Sequence, residues 1–155
     1  MVGVLLFVKV GALMMGRKGL NFFHFYAIAW NFAFGICCIV RGSYWILFAE
    51  KAQYESELYT AMHKVMPLTI WGIPFVLAGI LIILAGIKLP YHQTSISFYR
   101  LTAWGYAIAC PFYYIFSTAG FDSGLNLVTP IMNLSFSIFG GATALLAYKN
   151  VSEMK

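Results

Sequence analysis

Four long apolar stretches alternate with short polar segments along this chain. The stretches are residues 20–40, 66–87, 101–119 and 127–148, and none of them contains Asp, Glu, Lys or Arg. Each is close to the length of about 20 residues that a helix needs to cross the hydrocarbon core of a bilayer. Strands open to lipid would leave backbone groups without hydrogen bonds. The pattern therefore predicts an all-α, polytopic integral membrane protein whose four helices form one transmembrane bundle.

The amino-terminal segment, residues 1–18, follows a different pattern. Its first 15 residues are apolar apart from Lys9, and the basic pair Arg17 and Lys18 comes after them. A secretory signal has its charges before the apolar part and a small-residue cleavage site after it, so we expect this segment to be retained. A helix of about 15 residues is shorter than the hydrocarbon core. We predict an interfacial or re-entrant segment, with a tilted fifth helix and a snorkelling Lys9 as the alternative.

The segment between the first two stretches, residues 41–65, is predicted to be an external loop that contains an amphipathic helix. Tyr54, Leu58 and Met62 recur at helical spacing, with polar residues between them. Such a helix would lie on the outer leaflet or extend a neighbouring helix. Alternatively, Tyr54, Leu58 and Met62 form an external docking surface for a partner.

Composition and charge fix the predicted topology. Of the 155 residues, 61% are hydrophobic and only 10% are charged, which is too little charge for a water-facing surface. Basic residues in short loops stay in the cytoplasm. Apart from Arg41, Lys51 and Lys64 in the first loop, they lie in the first segment, the second loop and the tail: Lys9, Arg17, Lys18, Lys88, Arg100, Lys149 and Lys155.

This distribution predicts that both termini are cytoplasmic, in a bacterial cell membrane or an equivalent inner membrane. Four of the five acids, Glu50, Glu55, Glu57 and Asp122, fall in the loops predicted to be external. The net charge of +5 is then explained by topology, and we expect no nucleic-acid partner. Contact with anionic lipid is compatible with the same charges.

Small residues mark the faces on which two of the predicted helices pack closely. Gly72, Gly79 and Gly86 are seven residues apart and stay on one face of the second helix. Gly140 and Ala144 lie on a similar face of the fourth helix. In lipid, small residues allow helix backbones to approach each other. The partner of these faces is either another helix of this chain or a helix of another chain.

Polar residues form stripes on the first and fourth predicted helices. The stripes consist of Asn21, His24 and Asn31, and of Thr129, Asn133 and Ser137. His24 is the only ionisable side chain within a predicted span, and an intramembrane ionisable group is by default a candidate functional site. We interpret it as a neutral packing residue near the inner helix end. The alternatives are a role in proton or ligand binding and, third, ligation of haem or a metal.

The residue types needed for autonomous chemistry are missing from the predicted spans. No acidic residue occurs in any of them, although cation-coupled transporters generally use one. His24, His63 and His92 are predicted at different depths, and Cys37 and Cys38 are adjacent instead of forming a C-x-x-C motif. No phosphate loop, zinc-type spacing or nucleophile elbow is present. We therefore predict no enzyme activity, no cofactor and no metal site.

Two functions of different classes fit these observations. The first is a non-enzymatic multi-pass membrane subunit that assembles with itself or with partner membrane proteins, through its small-residue helix faces and its external first loop. The second is an oligomeric pore or membrane-permeabilising protein, such as a phage-type holin or a defence effector, with the polar stripes lining water. A membrane-embedded redox or transport enzyme is a distant third. Uncharged polar stripes are ordinary features of helix packing in lipid, which favours the subunit.

Overall fold

The computed structural model describes residues 22–91, 96–122 and 127–154. Within these ranges the regular elements are all helical, which confirms the all-α class for the described part of the chain. The helices are α1 (Phe22–Leu47), α2 (Ala49–Ala52), α3 (Glu57–Val65), α4 (Leu68–Lys88), α5 (Ile96–Asp122) and α6 (Val128–Glu153), with a 3-10 turn at Leu89–Tyr91. The predictions for residues 1–18, Asn21 and His92 lie outside the described residues.

Three of the described helices, α1, α4 and α6, are long and apolar enough to cross a membrane, judged by length and composition. These three helices support a location in a membrane. Helix α5 contains the predicted span 101–119 and has 27 residues, but it does not reach the same apolar content. Its tyrosines, Trp104 and Pro111 lower its hydropathy, although Tyr106 and Tyr113 bury their rings.

The helices are longer than the apolar stretches that predicted them. Helix α1 continues past residue 40 to Leu47, and α5 begins at Ile96 instead of residue 101. A hydropathy pattern marks the part of a helix that suits lipid, whereas backbone hydrogen bonding continues into more polar sequence. Arg41 was expected in the external loop and instead lies within α1. His24 is therefore not the only ionisable residue on a candidate spanning helix.

The long helices pack side by side in chain order, α1 against α4, α4 against α5 and α5 against α6. Helix α1 also reaches α6 through aromatic side chains, because Trp30 contacts Phe139 and Phe34 contacts Phe136. Large buried side chains fill the space between the helices, among them Trp45, Phe75, Tyr106 and Tyr113.

The outer segment, which we define as residues 48–66, folds back against the long helices. Leu58 and Met62 are buried in the core, and the Trp71 indole donates to the backbone oxygens of Met62 and Met66 at 3.3 and 3.1 Å. Ser56 caps α3 by accepting a hydrogen bond from the Tyr59 N–H. Of the three residues assigned to the predicted docking surface, Leu58 and Met62 are buried against the chain's own core, and Tyr54, which precedes α3, is exposed.

Candidate functional site

The small residues of α4 form a close contact with α1 of the same chain. A Cβ atom added at Gly79 would lie 2.5 Å from the backbone oxygen of Gly35, and one added at Gly72 would lie 2.5 Å from that of Gly42. Gly86 also faces α1, where an added Cβ would lie 3.3 Å from Asn31 and Phe32 side-chain atoms. Because α1 occupies this face, which we call the glycine seam, it is not open to another protein.

Ser137 and Gly140 of α6 are directed toward α5. Ser137 is buried and donates its hydroxyl to the Cys110 backbone oxygen at 3.0 Å. An added Cβ at Gly140 would lie 3.6 Å from the Cys110 side chain, and Ala144 is also buried. Thr129 is half-buried in the first turn of α6. Ser137 and Gly140 therefore lie at a contact between two helices of the same chain.

The two described polar residues of the α1 stripe, His24 and Asn31, differ in burial. Asn31 is buried and accepts a hydrogen bond from the Tyr106 hydroxyl at 2.8 Å. His24 is half-buried two turns earlier along the helix. The structure thus brings Asn31 to α5, and among the described residues Asn31, Asn133 and Ser137 bond to three different partners.

Arg41 is the main functional candidate that the sequence interpretation missed. Its Nη1 donates to Asn133 Oδ1 at 3.0 Å, which joins α1 to α6. The guanidinium carbon lies 5.0 Å from the ring centroid of Phe116, 5.1 Å from that of Tyr113 and 5.8 Å from that of Phe75. We call these five residues the Arg41 centre. Rings within about 6 Å attract a cation by about 0.5 to 2 kcal/mol each.

No carboxylate side chain compensates the charge of Arg41. All five acidic residues of the chain lie in the described ranges, and none of their carboxylates is within 4.0 Å of Arg41. The ion pair found in these ranges joins Lys149 to Glu153. Asn133 is fully buried, and its Nδ2 has no hydrogen-bond partner. The Arg41 centre therefore combines an uncompensated cation with an unused amide donor.

A cavity of about 420 Å³ lies at the other end of the same helices. Its lining includes Trp30, Asn31, Phe98, Thr102, Tyr106 and Phe139. The volume is within the range of about 300 to 1,000 Å³ that is usual for small-molecule pockets. We call it the inner cavity, because it lies at the helix ends predicted to face the cytoplasm.

Phe34 separates the inner cavity from the Arg41 centre. Its ring centroid is 5.4 Å from that of Tyr106, which lines the inner cavity, and 5.6 Å from that of Tyr113, which belongs to the Arg41 centre. The Phe34 side chain is buried. The interior between α1, α5 and α6 is therefore an aromatic column with a polar group on each side.

The histidines, acids and cysteines of the described residues lie in different surroundings. Within these ranges, no group of three His, Cys, Asp or Glu side chains is placed to hold a metal ion. The three cysteines are free thiols, and Cys38 lies 3.6 Å from the Tyr113 hydroxyl. Cys38 thus contacts the Arg41 centre as a buried packing residue.

Comparisons of the chain with protein-family models, with curated proteins and with solved structures found no match.

The spacing of residues around Arg41 indicates that Arg41 lies on a buried helix face. Phe34, Cys38, Arg41 and Trp45 are spaced by four, three and four residues, which places them on one face of a continuous helix. The apolar stretch ends at residue 40, whereas the helical repeat continues through Arg41 to Trp45. The buried neighbours of this face lie on other helices, and no local pattern identifies them.

Proposed function

We propose that the protein is a non-enzymatic multi-pass membrane subunit that binds a partner membrane protein or a second copy of itself through its outer segment. In this proposal α1, α4, α5 and α6 form a four-helix transmembrane bundle with both termini in the cytoplasm. Helix α5 is about 40 Å long and packs along both α4 and α6. Its position between two apolar helices supports its role as the fourth span.

The main support for this proposal is that the outer segment has one face fixed against the helices and large side chains exposed on its other side. Its buried face is fixed by Leu58, Met62 and the hydrogen bonds of Trp71. The exposed fraction of the residue surface is 83% for Tyr54, 80% for Val65 and 52% for Phe48. Exposed large side chains on a fixed support are typical of anchors at protein interfaces.

The small-residue faces do not have this role in the proposal. Gly72 and Gly79 contact α1, and Gly140 faces α5, so these faces stabilise the single chain. The remaining surfaces of α4 and α6 present large apolar side chains such as Ile80 and Leu145. Such surfaces suit lipid, and they leave the outer segment as the surface with mixed polar and apolar character.

A pore is the second candidate, because the aromatic column connects two polar sites. Asn31, Asn133 and Ser137 form hydrogen bonds within the chain, which argues against a water-filled path along them. A path through one chain would instead have to pass Phe34. Ion flux into liposomes should remain absent for the parent and for Phe34→Ala if the subunit proposal is correct. Flux that Phe34→Ala increases would favour the pore.

The proposal is tested by placing a charge on the outer segment. We expect Tyr54→Asp and Val65→Asp to reduce the mass of the complex extracted in mild detergent to that of the single chain. Ser152→Asp, which adds the same charge at the exposed end of α6, should leave the complex intact. A complex that survives both outer substitutions, or a parent protein that extracts as a single chain, would overturn docking through this segment.

A further inference from the structure

We propose that the Arg41 centre binds an oxyanion, the carboxylate or phosphate group of an anionic lipid or of a free solute, through the remaining N–H donors of Arg41 and the Nδ2 donor of Asn133. This inference is independent of docking through the outer segment. It rests on charge, on an unused donor and on the geometry of the aromatic side chains.

Charge is the first argument. Arg41 lies on a candidate membrane-spanning helix and is half-buried, and the chain places no carboxylate side chain within 4.0 Å of it. Arginine within membrane helices is costly, and it normally pairs with another charge or with backbone oxygens. An anionic ligand would supply the compensating charge that the acidic residues of this chain do not.

The side-chain amide of Asn133 has an unused hydrogen-bond donor. Its Oδ1 accepts from Arg41, which fixes the orientation of the amide because Nδ2 would repel the guanidinium. Nδ2 then lies on the same side-chain amide, is fully buried and has no partner. An unpaired buried donor is rare in folded proteins. An oxygen atom that bridges Arg41 and Asn133 would satisfy it.

The aromatic rings give the third argument. Phe75, Tyr113 and Phe116 surround the guanidinium with π-systems, which attract its positive charge. A guanidinium has five N–H donors in its plane, and Asn133 accepts from one of them. The fork of the remaining donors matches the paired oxygens of a carboxylate or phosphate better than a single spherical ion.

The depth of the centre suits both possible sources of the oxyanion. Arg41 lies six residues before the end of α1, and Asn133 lies five residues after the start of α6. At about 1.5 Å per residue, both positions are about 7 to 9 Å from the outer helix ends. The two sources would reach this depth by different routes, a lipid headgroup from the side of the bundle and a free solute past the outer segment, whose Tyr59 ring centroid lies 6.1 Å from that of Phe116.

The test measures thermal unfolding of the purified protein while an oxyanion is titrated. Inorganic phosphate and acetate are the free probes, used in neutral detergent against chloride at equal ionic strength. The lipid probe is phosphatidylglycerol in nanodiscs, compared with phosphatidylcholine. We expect a saturable rise in melting temperature with one of these two sources. Stabilisation only by phosphatidylglycerol identifies a lipid ligand, and stabilisation only by phosphate or acetate identifies a solute.

Three variants show whether the ligand binds at the Arg41 centre. Arg41→Gln removes the charge, and Asn133→Asp supplies a carboxylate of the chain itself, so both should weaken binding by about tenfold or more. Asn133→Asp should also raise the melting temperature without ligand, which shows that this variant is folded. Arg100→Gln makes the same change at an exposed position of α5 and should bind like the parent.

Two results would overturn the inference. One is a parent protein whose melting temperature does not respond saturably to any of the three probes. The other is a response of equal affinity in the parent, Arg41→Gln and Asn133→Asp, because the anion would then bind elsewhere.

Discussion

Helix α1 packs in two different ways on two neighbouring faces. Toward α4 it presents Gly35 and Gly42, and the backbones approach so closely that an added Cβ would meet a carbonyl oxygen. Toward α5 and α6 it presents Phe34, Arg41 and Trp45, and the space is filled by rings and polar contacts. The first face depends on the absence of side chains, and the second depends on large side chains that fit one another.

This difference explains which residues hold the chain together and which are free for function. The glycine seam is apolar and closed, so it contributes close packing of backbones. The aromatic side contains Arg41, Asn133 and the contacts of the inner cavity. Anion binding is therefore proposed for the aromatic side, and partner binding for the outer segment that covers one end of it.

The largest effect on stability is expected for Phe34→Ala, on the aromatic side. Phe34 is buried and contacts Tyr106, Tyr113 and Phe136, so its loss leaves a cavity. Replacement of a buried phenylalanine by alanine costs about 3 to 5 kcal/mol. Thermal unfolding in detergent measures it, with Phe121→Ala as the control because Phe121 is exposed. Equal melting temperatures for the two variants would contradict the buried position of Phe34.

A smaller loss is expected for Gly79→Ala, on the glycine seam. The added methyl group would meet the Gly35 carbonyl oxygen, and backbone atoms shift less easily than a side chain. Overpacking of this kind costs about 1 to 3 kcal/mol. The control is Gly141→Ala, where an added Cβ would meet only the Cys110 sulfur at 3.3 Å. If Gly79→Ala melts like the parent, α1 and α4 are not in backbone contact.

The hydrogen bond between Tyr106 and Asn31 should contribute about 1 kcal/mol. Tyr106→Phe removes the hydroxyl donor and retains the buried ring. Tyr114→Phe is the matched control, since Tyr114 is exposed on the same helix. Chemical unfolding of the three proteins measures the difference. A loss in the control as large as that in Tyr106→Phe would show that the bond does not stabilise the fold.

The smallest effect on stability is expected for Tyr54→Ala. Its side chain is largely exposed, and surface substitutions usually change the free energy of unfolding by less than about 0.5 kcal/mol. The same substitution should weaken the complex with the partner, as measured by its mass in mild detergent. A strong loss of stability together with an unchanged complex would show that Tyr54 stabilises the fold and does not bind the partner.

The features that could be predicted from sequence depend on local spacing. The helical class and three apolar helices follow from long uncharged stretches, and the glycine seam follows from the seven-residue spacing of Gly72, Gly79 and Gly86. Arg41 could not be assigned in the same way, because a charge at the end of an apolar stretch usually marks a loop. Its contacts with Phe75, Tyr113 and Asn133 join residues far apart in the chain.

The burial of Leu58 and Met62 likewise depends on contacts with distant parts of the chain, which local spacing does not reveal. Their helical spacing indicates an apolar face, and the pattern does not say whether a partner or the chain itself covers it. In the structure the chain's own core covers this face, and Tyr54 remains outside it.

The central claim is that the chain closes its own helix faces and offers the outer segment to a partner. Photo-crosslinking in native membranes tests it most directly, with a reactive side chain at Tyr54 and, as control, at Ile80, which is 45% exposed on α4. We predict a discrete crosslinked protein band from the Tyr54 position and none from the Ile80 position. A band from Ile80 with none from Tyr54 would contradict the claim, because the partner would then bind the membrane-facing helices.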